Sequence, residues 1–387
     1  MEFVIAPDKF KGTLGASEAA DAIGRGVRKV FPAAALALRP LADGGEGTVE
    51  ALLTGLGGRA SYEKVTGPLG DEAEAAIGWL ADGRAAIEVA QASGLVLVPQ
   101  GRRDALRAHS VGVGELIRAV AESGRTRSLV VGIGGSAMTD GGTGAARALG
   151  WRFLDAAGRD LPLGGEALID LARIDGSAVA DAVRDLEIVL ASDVDNPLLG
   201  DEGAARVFAP QKGASADQVE LLERALTVLA RRIKEDVGVD VAGRPGAGAA
   251  GGLGAGLMAF CGASLRPGFD LVAEVTGLNE AIRAVDYVIT GEGKLDRQSL
   301  GGKAPIGVAR LAAKSLVVCF AVAGDIPLND RKKLGEAGFA GMASVVETVG
   351  EQRAFEDPSN AIQATTEKLL RSKILREVPG RRDRRIV

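Results

Sequence analysis

Acidic and basic residues of this chain collect in short, glycine-rich segments. Asp8, Lys9 and Lys11 lie in Pro7-Asp8-Lys9-Phe10-Lys11-Gly12, and Asp43 and Glu46 in Ala42-Asp43-Gly44-Gly45-Glu46-Gly47. Asp140 follows Gly134-Gly135-Ser136-Ala137-Met138-Thr139, Asp193 opens Asp193-Val194-Asp195-Asn196-Pro197, and Lys212 sits in Pro210-Gln211-Lys212-Gly213. Glu292, Asp296 and Lys303 share residues 290–303. Carboxylates can hold Mg2+ directly or through water, and glycine lets backbone amides approach an anion closely. Lysines neutralise phosphate charge, and one carboxylate can take a proton from an attacking hydroxyl. Together these residue types suit phosphoryl transfer.

The elements that must position them are legible too. Short apolar, β-branched runs at 3–5, 36–41, 129–133, 188–191, 287–289, 316–322 and 343–346 read as buried strands, most of them parallel. Many lead straight into one of the charged segments, so the polar groups gather where strands end. Residues 128–150 show the pattern in full: a strand, a glycine loop and the helix-forming Ala145-Ala146-Arg147-Ala148-Leu149. Free backbone N–H groups in such a loop and at such a helix start bind anions, so Gly134, Gly135 and Ser136 are candidate phosphate or carboxylate contacts.

Helices are predicted from about Ser17, with Ser17 as cap, and after Ser110, with Val113, Leu116, Ile117 and Val120 on one face. A capping box from Ser215 to Gln218 opens a helix whose Val219, Leu222, Leu226, Leu229 and Ile233 form one apolar stripe. Residues 62–99 break into short runs separated by turns, including 94–98, which suggests a mixed or antiparallel sheet and the start of a second domain. The expected division is a discontinuous domain of residues 1–61 and 285–387, interrupted by an inserted α/β domain of residues 62–284. The glycine-dense residues 243–256 fit close-packed backbone better than a linker. His109, the single histidine, precedes the Ser110 cap and reads as a loop residue rather than a general base.

Composition narrows the function classes. With 387 residues, 47% apolar and 25% charged, the chain has material for two domains and a core without staples. A net charge of −5 and 4% aromatic residues argue against nucleic acid, despite Arg381, Arg382, Arg384 and Arg385 near the end. The two cysteines, Cys261 and Cys319, sit in apolar surroundings and suggest buried thiols in a reducing, cytoplasmic setting. No apolar run approaches membrane-spanning length and no leader pattern is present, so neither membrane nor export is expected.

Known nucleotide motifs decide little. Gly302-Lys303 lacks the upstream glycine of a P-loop and is followed by Ala304. Gly132-Ile133-Gly134-Gly135-Ser136-Ala137 fits a dinucleotide fingerprint, with Asp155 about twenty residues on. A nicotinamide-dependent oxidoreductase and a non-catalytic carboxylate-binding protein are therefore the alternatives. Neither accounts for so many acidic glycine loops.

The segments IAPDKFKGTL, PLADGGEGT, VTGPLG, GIGGSAMTDGG, SDVDNPLLG, PQKGA, GAAGGLGAG and VITGEGKLDRQSLGGKAP, running in order from Val4 to about Gly324, resemble the type I bacterial glycerate kinase family. The chain departs from that pattern at Thr139, Arg103-Asp104-Ala105 and His109. The resemblance implies an ATP- and Mg2+-dependent kinase acting on D-glycerate, giving 2-phosphoglycerate, with 3-phosphoglycerate as the alternative product. It implies a flavodoxin-like parallel-sheet domain interrupted by a domain of restriction-endonuclease-like topology. By role, Asp193 and Asp43 become candidates for base or metal ligand near the acceptor, with Lys9 and Lys11 beside them as catalytic candidates. Asp8, Glu46, Asp140, Asn196, Gln211, Lys212, Glu292 and Lys303 become substrate or nucleotide contacts, and Glu292 and Asp296 metal ligands. Glycerate is the expected small-molecule partner, and a homo-oligomer is compatible with this reading.

Overall fold

β-Branched and apolar runs form thirteen strands among the described residues. In chain order they are β1 (Glu2–Pro7), β2 (Ala35–Leu38), β3 (Gly58–Thr66), β4 (Glu72–Leu80), β5 (Ala85–Glu88), β6 (Ser128–Gly132) and β7 (Arg152–Leu154). There follow β8 (Arg173–Asp175), β9 (Glu187–Ala191), β10 (Ser264–Arg266), β11 (Tyr287–Lys294), β12 (Val318–Asp325) and β13 (Phe339–Ser344). The structure, a computed structural model, describes residues 1–10, 12–297, 299–301 and 304–374. Lys11, Lys303 and the arginines of 381–385 lie outside the described residues.

The chain divides into two compact units: Met1–Ala42 with Val272–Val387, and Asp43–Leu271. The division falls earlier on both sides than the composition changes at 61/62 and 284/285. The reason at the first boundary is packing. Helix Thr48–Leu56 lies on the inserted sheet, where a Cβ at Gly78 of β4 would come within 2.9 Å of Val49.

In the discontinuous unit, β13-β12-β11-β1-β2 form a wholly parallel sheet. Every strand needs a crossover, and helices such as Ala16–Val30, Ala304–Lys314 and Pro358–Lys373 supply cover for the sheet's apolar faces. Phe3, Ile5, Ile23, Val27, Phe320 and Leu370 are fully or nearly fully buried in this core. The first helix starts one residue before Ser17, at Ala16. Gly15 is its cap, and the Glu18 carboxylate accepts the Gly15 N–H at 3.0 Å.

The inserted unit carries a six-stranded mixed sheet, β10-β9-β6-β5-β4-β3, and the hairpin pair β7-β8. The β3-β4-β5 pairs are antiparallel and the β5-β6-β9-β10 pairs parallel, as the change of pattern across 62–99 suggests. Helix Val111–Ser123 buries Val113, Leu116, Ile117 and Val120. The Ser215 capping box opens helix Ala216–Arg232, whose predicted stripe is the buried one. Residues 94–98, in contrast, are not a strand. They make a single tight turn at Leu95–Leu97 with Val96 exposed, because Leu95 N–H is taken by Gly135 O at 2.8 Å and the segment buttresses the glycine loop.

Candidate active site

In the inserted unit the glycines exist because backbones touch. Gly44 has φ +87°, and a Cβ there would sit 2.1 Å from Ala191 O, at the end of β9. A Cβ on Gly134 would meet Gly45 Cα at 2.6 Å, and one on Gly268 would meet Asp43 O at 2.2 Å. Gly134 N–H donates to Gly44 O at 3.0 Å and Ile133 N–H to Ala191 O at 3.3 Å. The ends of β6, β9 and β10 and the Asp43 loop are thus interlocked, main chain on main chain.

This packing sets Asp193 beside Asp43. Asp193 Oδ1 accepts the Gly268 N–H at 2.8 Å, at the start of helix Gly268–Val275. Partial burial lifts the Asp193 pKa to about 6, and Asp43 and then Asp270 add to the rise. The amides of Gly268 and Phe269 pull the other way. Asp193 keeps an exposed side, so the carboxylate is reachable from solvent. A carboxylate poised near 6 is ionised at neutral pH and basic enough to receive a proton.

A second cluster surrounds the glycine loop after β6. Lys212 is almost wholly buried; its ammonium donates to Ser136 Oγ at 3.0 Å and to Met138 O. Room for it comes from Gly251, where a Cβ would lie 2.9 Å from Nζ. Gly251, Gly252 and Gly256 all back onto residues 138–142, which settles the 243–256 stretch as close packing. Asp140 is fully buried and accepts from Ser110 N–H (2.8 Å), Ser110 O–H (2.8 Å), Gly142 N–H (3.0 Å) and Gly144 N–H (3.0 Å). Ser110 stands at the helix start, but its hydroxyl binds Asp140 and Ala145 N–H rather than capping its own helix. Buried His109 has its pKa lowered chiefly by burial, and its Nδ1 has no hydrogen-bond partner among the described residues.

Burial lowers the Lys212 pKa to about 7, against the raising influence of Asp140. Between that value and the model-amine value near 10.5 the unfolded chain holds more protons than the folded one, so stability rises with pH across this window. The expected result is an unfolding midpoint that climbs from pH 7 to about pH 9.5 in the wild type. The climb is expected to be shallower in Lys212→Met; equal slopes in urea titrations of the two proteins refute the assignment.

The discontinuous unit places the remaining charges at its strand ends. Asp8, after β1, is buried, its Oδ1 accepting the Lys9 N–H at 2.7 Å. Glu292, near the end of β11, is buried and accepts from Ser299 O–H at 2.7 Å, while the same hydroxyl accepts the Asp296 N–H at 3.1 Å. Among the described residues no three histidine, cysteine or acidic side chains form a metal cage. Mg2+ bound with phosphates needs only one or two carboxylates, its other ligands being phosphate oxygens and water, so Glu292 and Asp296 fit that donor set.

Other predicted residues are placed less tellingly. Glu46 and Gln211 are exposed, and Asn196 donates from its amide to Glu202 O at 2.8 Å. Asp155 is held in its own turn by Ala157 and Arg159, away from the role a dinucleotide site demands. Sequence reasoning missed Asp270, which faces Asp193 from the first turn of its helix, and Ser299, which orients Glu292. It also missed Glu88, buried at the end of β5 and accepting the Val49 N–H at 2.7 Å at the start of a helix. An acid directly after an apolar run was the available signal for Glu88; a Pro-Gly-x-Asp helix start was the signal for Asp270.

Comparison with known proteins shows the family of the chain. The family model described as the glycerate kinase family matches residues 3–373. The chain is 46% identical over 351 residues to glycerate 2-kinase of Escherichia coli strain K12, covering 90% of this chain and 92% of that one. It is 43% identical over 374 residues to glycerate kinase of Bacillus subtilis strain 168, covering 96% and 97%. A crystal structure described as that of a candidate glycerate kinase 2 from Salmonella typhimurium LT2 superposes with a TM-score of 0.84 at 43% identity, covering 95% of this chain and 96% of that one. With its acidic glycine loops and a family match across nearly the whole sequence, the chain belongs to the glycerate kinase family and is a kinase.

Proposed function

We propose that this enzyme transfers the γ-phosphoryl group of ATP to the 2-hydroxyl of D-glycerate, giving 2-phosphoglycerate and ADP. The observation that carries the reading is Asp193, a carboxylate with pKa near 6 set at a helix start among glycine loops, beside Asp43. In the step, Asp193 accepts the hydroxyl proton as the alkoxide oxygen bonds to phosphorus and the bond from phosphorus to the bridging oxygen of ADP breaks. The E. coli relative's name supports the 2-position.

Lys9, Lys11, Lys212 and Lys303 are assigned to phosphate or carboxylate charge, with Gly135 and Ser136 offering donors; Gly134, whose N–H is already taken by Gly44 O, we reassign to locking the loop. Asp43, Asp8, Glu46, Asn196 and Gln211 complete the proposed contacts. Asp140, whose carboxylate already serves four protein donors, we reassign from ligand contact to holding the loop. Glu292 and Asp296 are the residues that would hold Mg2+, which when bound neutralises charge on the phosphate oxygens. The parallel sheet order β2-β1-β11-β12-β13 supports a flavodoxin-like reading of that unit. The mixed six-stranded sheet is compatible with the restriction-endonuclease-like reading of the other. No described helix is long and apolar enough to cross a membrane.

The test is ADP release from Mg-ATP with D-glycerate, with the product read by phosphorus NMR. Turnover only in the complete mixture and a 2-phosphate resonance are the expected result. A 3-phosphate product corrects the regiochemistry, and no turnover by folded protein refutes the reading.

A further inference from the structure

In the discontinuous unit a cleft of about 400 Å3 opens beyond the carboxyl ends of four parallel strands. Phe10 and Thr13 border it after β1, Gly293 and Asp325 at the ends of β11 and β12, and Val345 and Phe355 after β13. Its size is that of a small-molecule site. Its place is the one open parallel sheets reserve for ligands: the strand order reverses between β1 and β11, and the cleft spans that point.

The lining specifies what fits. Phe355 is 60% exposed, a large aromatic face left to solvent on the short helix Glu351–Glu356. Val345, Ala354 and Ile362, all buried, extend the apolar wall. Among the described residues the polar side chains there are Thr13 and the carboxylates Asp325 and Glu351. Two carboxylates repel phosphate and carboxylate groups, so neither glycerate nor the triphosphate belongs here. A flat apolar ring with hydroxyls for the acids to accept from does belong: a nucleoside. Lys9, of the sign a phosphate needs, sits next to Phe10 on the loop that borders the cleft.

We propose that this cleft holds the base and ribose of the nucleotide, with Phe355 against the base and Asp325 and Glu351 toward the ribose hydroxyls. The inference rests on the kinase reading for its ligand, but its test does not need turnover. Binding of ADP and, separately, of inorganic tripolyphosphate is measured by calorimetry for the wild type, Phe355→Asp, Glu351→Gln and a control, Leu328→Ser. Leu328 is exposed in the same unit and does not line the cleft.

F355D is expected to weaken ADP binding about tenfold or more, the effect of losing one aromatic face on a base, and to leave tripolyphosphate binding within about twofold. E351Q is expected to weaken ADP less, and to reduce the preference of ADP over its 2′,3′-dideoxy analogue. L328S changes neither ligand. ADP binding unaltered by F355D, or tripolyphosphate weakened to the same degree as ADP, overturns the assignment. If the wild type binds ADP but phosphorylates no glycerate, the kinase reading fails while the F355D comparison still decides the cleft.

Discussion

Asp193→Asn is expected to lower kcat by roughly 100- to 10,000-fold, the range a positioned general base contributes. That corresponds to about 3–5 kcal/mol of barrier. Asn keeps a side-chain oxygen for the Gly268 N–H, so the start of helix Gly268–Val275 is preserved and the loss is chemical rather than structural. The same assignment fixes a pH dependence. Burial and the neighbouring acids raise the Asp193 pKa to about 6, and the base works only when ionised. Activity is therefore full above pH 7, and kcat/KM for glycerate falls about tenfold per pH unit once the pH drops below 6. D193N should lack that acid limb. A wild-type rate in D193N would remove Asp193 from the mechanism and move the base assignment to Asp43.

Asp140→Asn is expected to have the largest effect on stability. The carboxylate is fully buried and serves four protein donors; Asn supplies one acceptor oxygen and turns an N–H2 group toward donors that need an acceptor. Breaking such a buried charged network costs about 3–5 kcal/mol. For a unit of this size that lowers the thermal midpoint by roughly 6–20 °C. Scanning fluorimetry with and without glycerate checks it. A midpoint unchanged without ligand, combined with a raised KM for glycerate, would show that Asp140 is a ligand contact after all.

Asp140 shows how far residue type and spacing reach. Its place in a glycine loop after a strand was legible, as was the helix that follows. Whether its carboxylate faced a ligand or the chain was not, since that depends on Ser110, thirty residues away in sequence and brought near by the packing of helix Val111–Ser123. The turn at Leu95–Leu97 was missed for a related reason. Its apolar Leu-Val-Leu run reads as a strand, but Gly135 O claims the Leu95 N–H, and tertiary contact overrides local propensity there.

Residue order alone carried the alternation of strands with helices, the gathering of charge at strand ends, and the family. Each rests on local periodicity or on contiguous segments of unusual composition, which survive in one dimension. Which carboxylates act on one another was set by the folded chain. Asp270 raises the Asp193 pKa from across a strand end, and Ser299 holds Glu292 from beyond the strand, pairings that loop packing creates. The fold also decided the charge poise of Lys212. From residue type and resemblance Lys212 is a charged ligand contact, and only close packing against Gly251 and Met138 removes its water and brings its pKa to about 7. Desolvation is a property of the folded interior, set by every neighbour at once, and no spacing along a chain encodes it.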